Sequence, residues 1–353
     1  GYGFLPNTVK TAQERQSIGA FFFWTAWAAG AIRPGDRNTY TSNWPPDKTV
    51  GNLLSPDSFL WSVLSIFALF VILGVIVYVV HRYKFFYGDT KSRLIAQTLT
   101  EMHLTSSQVK SAKFFLVVVL LFIAQLCLGG LLAHYTVHPG AFYISVIARE
   151  VPYSLAKSWH LQLAIFWIAT TWIGASIFLA PIIAGREPKG QGILVNILFA
   201  AVLIVAVGSL VGELLGIRGM LGNLWFWFGH QGWEYLELGR FWQILLFVGL
   251  VAWLFIVYRA LKHKLFGPQR DTSGLVMFYV VSAIFIVGFF AFGFFYGRGS
   301  HLSIADYWRW FVVHLWVEGM FEFFGVAAIS LFLVTLGLVD RTSAMRVAYL
   351  TAT

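Results

Sequence analysis

Six uncharged apolar stretches, 58–80, 114–133, 158–185, 190–212, 241–258 and 272–297, set the rhythm of the chain. Each is long enough to cross a hydrocarbon layer of about 30 Å as a helix rising about 1.5 Å per residue. A seventh run, 310–339, is as long but carries His314, Glu318 and Glu322. An eighth begins near Ala344 and has run for ten residues at Thr353. Lipid tolerates no unpaired backbone, so the runs are predicted as helices. The expected fold class is an all-α polytopic transmembrane helix bundle, seven spans plus the start of an eighth.

The stretch before the first run behaves differently. Phe21 to Trp27 is too short to span, and the Pro-, Gly- and Asn-rich stretch from Arg33 to Pro46 has turn chemistry. Residues 1–57 are therefore expected to form an extracytoplasmic N-terminal segment, the end of a larger hydrophilic domain. Residues 58–353 are expected to form the transmembrane bundle, incomplete at its C-terminus. There is no internal repeat and no glycine-rich phosphate loop.

Composition agrees with the pattern and then adds direction. The chain has 353 residues, 58% hydrophobic, 18% aromatic and only 12% charged, about half the charged share of an ordinary soluble domain. Loops 81–113, 184–190, 259–271 and 340–346 carry 14 basic and 5 acidic residues. The N-terminal 57 residues with loops 134–157, 213–240 and 298–309 carry 11 basic and 9 acidic. Cations retained on the inner side put the first set in the cytoplasm and the second outside. The net charge of +9 thus follows membrane topology rather than a nucleic-acid-binding face. The single cysteine, Cys127, excludes a disulfide framework, a C-x-x-C motif and covalent haem attachment through C-x-x-C-H within this chain.

Polar groups at membrane depth carry the functional information, because they are costly there and usually face a site. Of the histidines, His160 and His314 lie within spans, each a short way in from the outer end. His160 is open to two readings: a hydrogen-bonded interhelical histidine, or an axial ligand to a haem. Trp159, Phe166, Trp167 and Trp172 around it could wall a flat macrocycle. His314, Glu318 and Glu322, spaced i, i+4, i+8, share one helix face. An imidazole and a carboxylate aimed at one point suit a non-haem iron better than a soft copper site. The bland alternative is a buried His–Glu hydrogen bond. Glu234 and Glu237, spaced i, i+3 before the fifth run, could bind a hard cation or simply favour a helix N-terminus.

At these residues the chain resembles a known family. Trp159-His160-Leu-Gln, the run Glu234-Tyr-Leu-Glu-Leu-Gly-Arg-Phe-Trp-Gln243 and the run Trp310-Phe-Val-Val-His-Leu-Trp-Val-Glu-Gly319 are similar to the catalytic subunit of respiratory nitric oxide reductases, in the haem–copper oxidase superfamily. Phe21-Phe-Phe-Trp-Thr-Ala-Trp27, Arg33-Pro-Gly35 and Thr39-Tyr-Thr-Ser-Asn-Trp-Pro45 resemble the quinol-dependent, single-chain form. The likeness runs from about residue 12 to the end.

The resemblance implies a bundle of the haem–copper oxidase type that reduces two NO to N2O and water in a respiratory, denitrifying chain. It implies that His160 is an axial ligand of a low-spin haem b. It places His314 and Glu318 on a non-haem iron facing a high-spin haem b3, with Glu318 and Glu322 as catalytic carboxylates, Glu322 serving proton delivery. Glu234, with Glu237 close by, would hold a calcium ion, and His134 would border a quinol pocket. Electrons would come from quinol or, in the related form, from a separate cytochrome c. The implied setting is a bacterial-type inner membrane, with lipid, quinol and nitric oxide as partners, no nucleic acid, and a homodimer among the allowed assemblies.

The family also uses an adjacent His-His pair and further haem ligands that are not found in residues 1–353. The expectation is that the remaining part of the polypeptide, or a complementary chain, supplies them. A reading from another class is a transporter whose buried His160, His314 and Glu318 line a proton path.

Overall fold

A computed structural model describes residues 11–42, 48, 53, 55–83, 103–137, 142–230 and 238–352. The described residues are helical apart from loops, turns and one isolated antiparallel bridge between Ile32 and Thr39. Seven helical stretches among them are long and apolar enough to cross a membrane. The all-α polytopic fold expected from the hydrophobic pattern is the fold observed. The chain divides into two compact units, 1–83 with 129–156, and 84–128 with 157–353.

In the first unit, helix α1 (Ala12–Gly30) starts at a capping box: the Thr11 hydroxyl takes the Glu14 amide, and Glu14 reaches back to the Thr11 amide. Those bonds satisfy donors that an open helix end would leave without partners. A turn follows in which the buried Arg33 donates to the carbonyls of Thr39, at 3.0 Å, and Ser42. The Trp27 and Tyr40 rings stack at 4.9 Å, which folds the turn back on the helix. Helix α2 (Pro56–Tyr83) is the first span, and none of its residues is buried by protein. The second span is α3 (Ser106–Val137), whose last turns belong to this unit, followed by the short α4 (Ser145–Glu150).

The second unit is the packed bundle. It contains most of α5 (Tyr153–Ala184), α6 (Gln191–Ile217), a short α7 (Trp225–Phe228), α8 (Arg240–Leu265) and α9 (Leu275–Phe290). Helix α10 (Leu302–Trp310) then runs into a π-wound segment, Phe311–Met320, and α11 (Phe321–Thr335), which together form the seventh span. Helix α12 (Arg341–Ala352) ends the described chain. The core centres on Phe324 of α11. Its ring meets Tyr279 at 4.9 Å, Trp253 at 5.4 Å and Trp172 at 5.7 Å, so α9, α8 and α5 converge on one side chain. Side chains at helical spacing (Leu250, Trp253 and Val257 on α8; Leu275, Tyr279 and Ala283 on α9) turn one stripe of each helix into this core.

Side-chain contacts link described residues of the four cation-rich loops within this unit. Ser107 donates its amide to Glu187 at 2.8 Å, and Arg259 donates to the Lys189 carbonyl at 2.5 Å. His263 meets the Ala184 carbonyl at 3.0 Å, and Arg341 pairs with Asp271 at 2.8 Å. The buried Arg240 donates to the carbonyls of Gly293, at 3.0 Å, and Tyr296. Gly208 and Gly212 let α6 and the Trp242 ring meet, since a Cβ at either would overlap that side chain or the Phe228 carbonyl.

One boundary differs from the hydrophobic reading. The fourth apolar run stops at 212, which puts Glu213 in an outer loop. The helix continues to Ile217, and Glu213 is fully buried within it. A hydropathy run ends at the first charge, whereas a helix ends where its backbone hydrogen bonds stop.

Candidate metal and haem-ligand sites

His160 and His314 both lie in the second unit, and they are held in different ways. His160, half-buried on α5, meets the backbone carbonyl of Gln125 on α3 through Nδ1 at 3.0 Å. A carbonyl only accepts, so the ring proton sits on Nδ1 and the lone pair on Nε2. That is the tautomer of an imidazole prepared to ligate a metal through Nε2, with its orientation fixed from behind. The Gln125 side chain serves a neighbour, since its Oε1 accepts from Trp167 Nε1 at 2.6 Å.

The expected aromatic wall around His160 is only partly present. Trp159 donates to the Leu210 carbonyl at 2.9 Å and Trp167 is held by Gln125. Trp172, however, packs on Phe324 in the core, and Phe166 packs with Val205, Ala206 and Leu238. Four aromatics over fourteen residues of one helix point around its circumference, so they cannot all face one ring.

His314 and Glu318 meet directly, with Nδ1 2.6 Å from the carboxylate. The segment that carries them is wound as a π-helix, closed by the Phe321 amide on the Trp316 carbonyl; such turns are rare and often occur at functional sites. Sequence spacing alone implies an ordinary α-helix here. On one side, Val312 and Trp316 are buried, and Trp316 Nε1 donates to the Ile286 carbonyl at 2.7 Å. On the other side, His314 and Glu318 are 50% and 64% exposed. The buried tryptophan therefore fixes the rotation that keeps the donor pair on the open face. The Trp310 ring lies edge-on to His314 at 5.3 Å. Glu322 follows one turn on and is exposed.

At 2.6 Å the pair as it stands is hydrogen-bonded, and a shared metal ion would hold the two donors slightly further apart. Two ligands each about 2.1 Å from one ion, on adjacent vertices, stand about 3 Å apart. Among the described residues no third His, Cys, Asp or Glu joins the pair, so His314 and Glu318 would supply two ligands of a larger set. No hydrogen bond, ion pair or ring contact links them to His160 among the described residues.

His134, in the first unit, is half-buried near the end of α3. Its ring lies 5.0 Å from both Phe142 and Tyr143 and 6.4 Å from Tyr135. Tyr135 is tied to the Val151 carbonyl at 2.8 Å, which holds the end of α3 to the segment after α4. Glu234 and Glu237 lie outside the described residues.

Two further groups stand out only in the structure. Gln125 is detectable in principle as the one amide in the apolar run 114–133, but its partners are 35 and 42 positions away. Glu213 is the other, a buried carboxylate beside the Gly212 contact with Trp242 and the Phe228 carbonyl.

The fold defines a multi-pass membrane protein with a histidine–carboxylate pair and a carbonyl-held histidine in its spanning helices. Residues 110–352 match the model of the family Cytochrome C and Quinol oxidase polypeptide I, and the chain belongs to that family. Residues 2–46 match the cytochrome c-like domain of the nitric oxide reductase protein NorB. The NorB protein of nitric oxide reductase from Stutzerimonas stutzeri is 28% identical over 239 residues, 67% of this chain and 47% of that protein. The chain thus spans about half the length of this curated relative.

Proposed function

We propose that the protein reduces nitric oxide to nitrous oxide: two NO, two electrons and two protons give N2O and water. The observation that carries this reading is the His314–Glu318 pair, donors 2.6 Å apart on the open face of a span. It is supported by the family match over residues 110–352 and the likeness to a nitric oxide reductase protein. A non-haem iron and haems b and b3, when bound, would supply the redox chemistry.

The chain's own residues then have separate tasks. His314 offers a neutral imidazole and Glu318 a carboxylate to the iron, alongside donors beyond this pair. Glu322, one turn on, holds a proton for the oxygen that leaves as water. His160 presents Nε2 to the low-spin haem b, with Gln125 holding Nδ1. The cation-rich loops face the cytoplasm of a bacterial-type inner membrane and residues 1–57 lie outside. Glu234, with Glu237, is assigned to a calcium ion.

Quinol is the proposed electron donor, and His134 among Phe142 and Tyr143 borders its pocket. A second reading, cytochrome c as donor, is favoured by the match of residues 2–46 to a cytochrome c-like domain. The chain itself, with one cysteine, has no C-x-x-C-H motif. An NO electrode with purified full-length protein tests both. NO consumption with a quinol analogue is expected. Consumption with reduced cytochrome c alone would replace the donor assignment, and persistence of NO with either donor, haem being present, would overturn the function.

A further inference from the structure

Beside cation-rich loops of the second unit lies a cavity of about 340 Å3. The ends of α5, α8, α11 and α12 and the loop before α9 surround it, and its lining is mixed in chemistry. Lys264, Arg270 and Arg341 line it together with the apolar Ile183, Leu331 and Val334. Lys264 closes the last turn of one span and Val334 the last turn of another, so the cavity sits where spanning helices leave hydrocarbon.

The charges are not balanced within it. Asp271, whose side chain is only 5% exposed, takes the Arg341 guanidinium at 2.8 Å. Its other lone pairs accept from Ser273 Oγ at 2.7 and 2.8 Å and from the Val276 amide at 3.1 Å. Burial alone would raise the Asp271 carboxyl, but these hydrogen bonds and Arg341 hold it below the usual carboxylate range. It is thus a fixed anion already committed to Arg341 and to the start of α9. Among the described residues, neither Lys264 nor Arg270 has a carboxylate within ion-pair distance.

A lysine at a helix C-terminus also complements the helix dipole, which accounts for Lys264 singly. It does not account for a concave site lined both by apolar side chains and by two cations that no carboxylate among the described residues pairs with. We propose that this cavity binds the phosphate headgroup of an anionic phospholipid, with its acyl chains running past Ile183, Leu331 and Val334. Basic pockets between spanning helices on the cytoplasmic side recognise such headgroups. The volume suits a phosphoglycerol group, not the chains. Free phosphate shares the charge but has no use for the apolar lining. The amides at the start of α9 do not take part, because Asp271 and Ser273 already cap them.

The test uses purified, delipidated full-length protein and reads bound lipid by native mass spectrometry and thermal midpoint by fluorescence. Phosphatidylglycerol is expected to bind and raise the midpoint, and phosphatidylcholine and inorganic phosphate are not. At about 1 kcal/mol per surface cation, Lys264→Gln with Arg270→Gln should weaken phosphatidylglycerol binding by roughly 25-fold. Arg270→Gln alone, in an exposed loop, should weaken it about five-fold, which keeps the test open if the double variant does not fold. Equal binding of phosphatidylcholine, a full midpoint shift with phosphate alone, unchanged affinity in Arg270→Gln, or no bound lipid because another part of the chain fills the cavity would each overturn the proposal. None of these readouts involves NO, so they stand apart from the proposed activity.

Discussion

His160 and His314 are both histidines in spans of one bundle, each held through Nδ1, yet the groups that hold them differ in kind. His160 is held from behind by a backbone carbonyl, at 3.0 Å, so one ring nitrogen is committed and the other is offered alone. His314 is held through the same ring nitrogen by a carboxylate at 2.6 Å, a group that in the proposed site would also be its co-ligand. The first arrangement suits a site where the rest of the ligand field comes from a large planar cofactor. The second suits a bare ion that must gather donors from protein alone. The difference also separates what a substitution can remove: a carbonyl cannot be mutated away, whereas a carboxylate can.

The largest expected effect therefore lies at Glu318. In the full-length protein, Glu318→Gln keeps size and a hydrogen-bond acceptor but removes the charge that the proposed iron ligand would supply. NO consumption should fall by at least about 100-fold, with iron content reduced, in line with losses of 10–100-fold in affinity for weaker outer-shell changes. Metal analysis beside the NO electrode checks it. A variant that keeps wild-type iron and activity would reduce the pair to an ordinary hydrogen bond.

His160→Leu should break the other half of the comparison without touching the first. The low-spin haem signal is expected to disappear from the reduced spectrum while iron bound at His314 and Glu318 remains. Loss of both signals together would mean that the two histidines are not independent sites. Gln125→Leu is a finer probe, because it deletes only the side-chain bond to Trp167 at 2.6 Å and leaves the backbone carbonyl that meets His160. The haem should be retained, and the thermal midpoint should fall by an amount equivalent to about 1 kcal/mol.

Much of this is legible in the chain because membrane depth makes polarity conspicuous. An apolar run announces a span, and His314, Glu318 and Glu322 are noticeable only because little else in the seventh span is polar. The hydrophobic pattern does not carry partners. Nothing near His160 in sequence points to Gln125, 35 positions earlier, since the contact exists only once two helices pack. Nor does it carry helix pitch: the π winding of Phe311–Met320 places Trp316 in the core and the donor pair outside it. Glu213 is misplaced by hydropathy for a related reason, because a residue scored as a loop charge is a buried helical one. Lipid-facing and protein-facing apolar residues look alike in sequence, so the pattern is also silent on the contrast between α2, with no buried residue, and α9, with nine.

The smallest effect is expected in the scaffold that holds the carbonyl behind His160. Helix α3, which carries Gln125, begins at Ser106, and the next residue gives its amide and hydroxyl to Glu187 at 2.8 and 2.5 Å from a loop 80 positions away. This carboxylate caps the helix as a local Asp or Ser would, so Glu187→Ala should cost about 1 kcal/mol. Burial alone would raise the Glu187 carboxyl, but the hydrogen bonds from Ser107 and Thr105 and the nearby Lys110 hold it below its ordinary value. A depressed folded pKa fixes the sign: the contribution is complete above the unfolded carboxylate pKa and is lost as pH falls through the folded one. The midpoint difference between wild type and Glu187→Ala should therefore be full at neutral pH and vanish in acid below the usual carboxylate range. A difference that grows on acidification would mean that the protonated form makes the cap, and the contact would then say nothing about how α3 is anchored beneath His160.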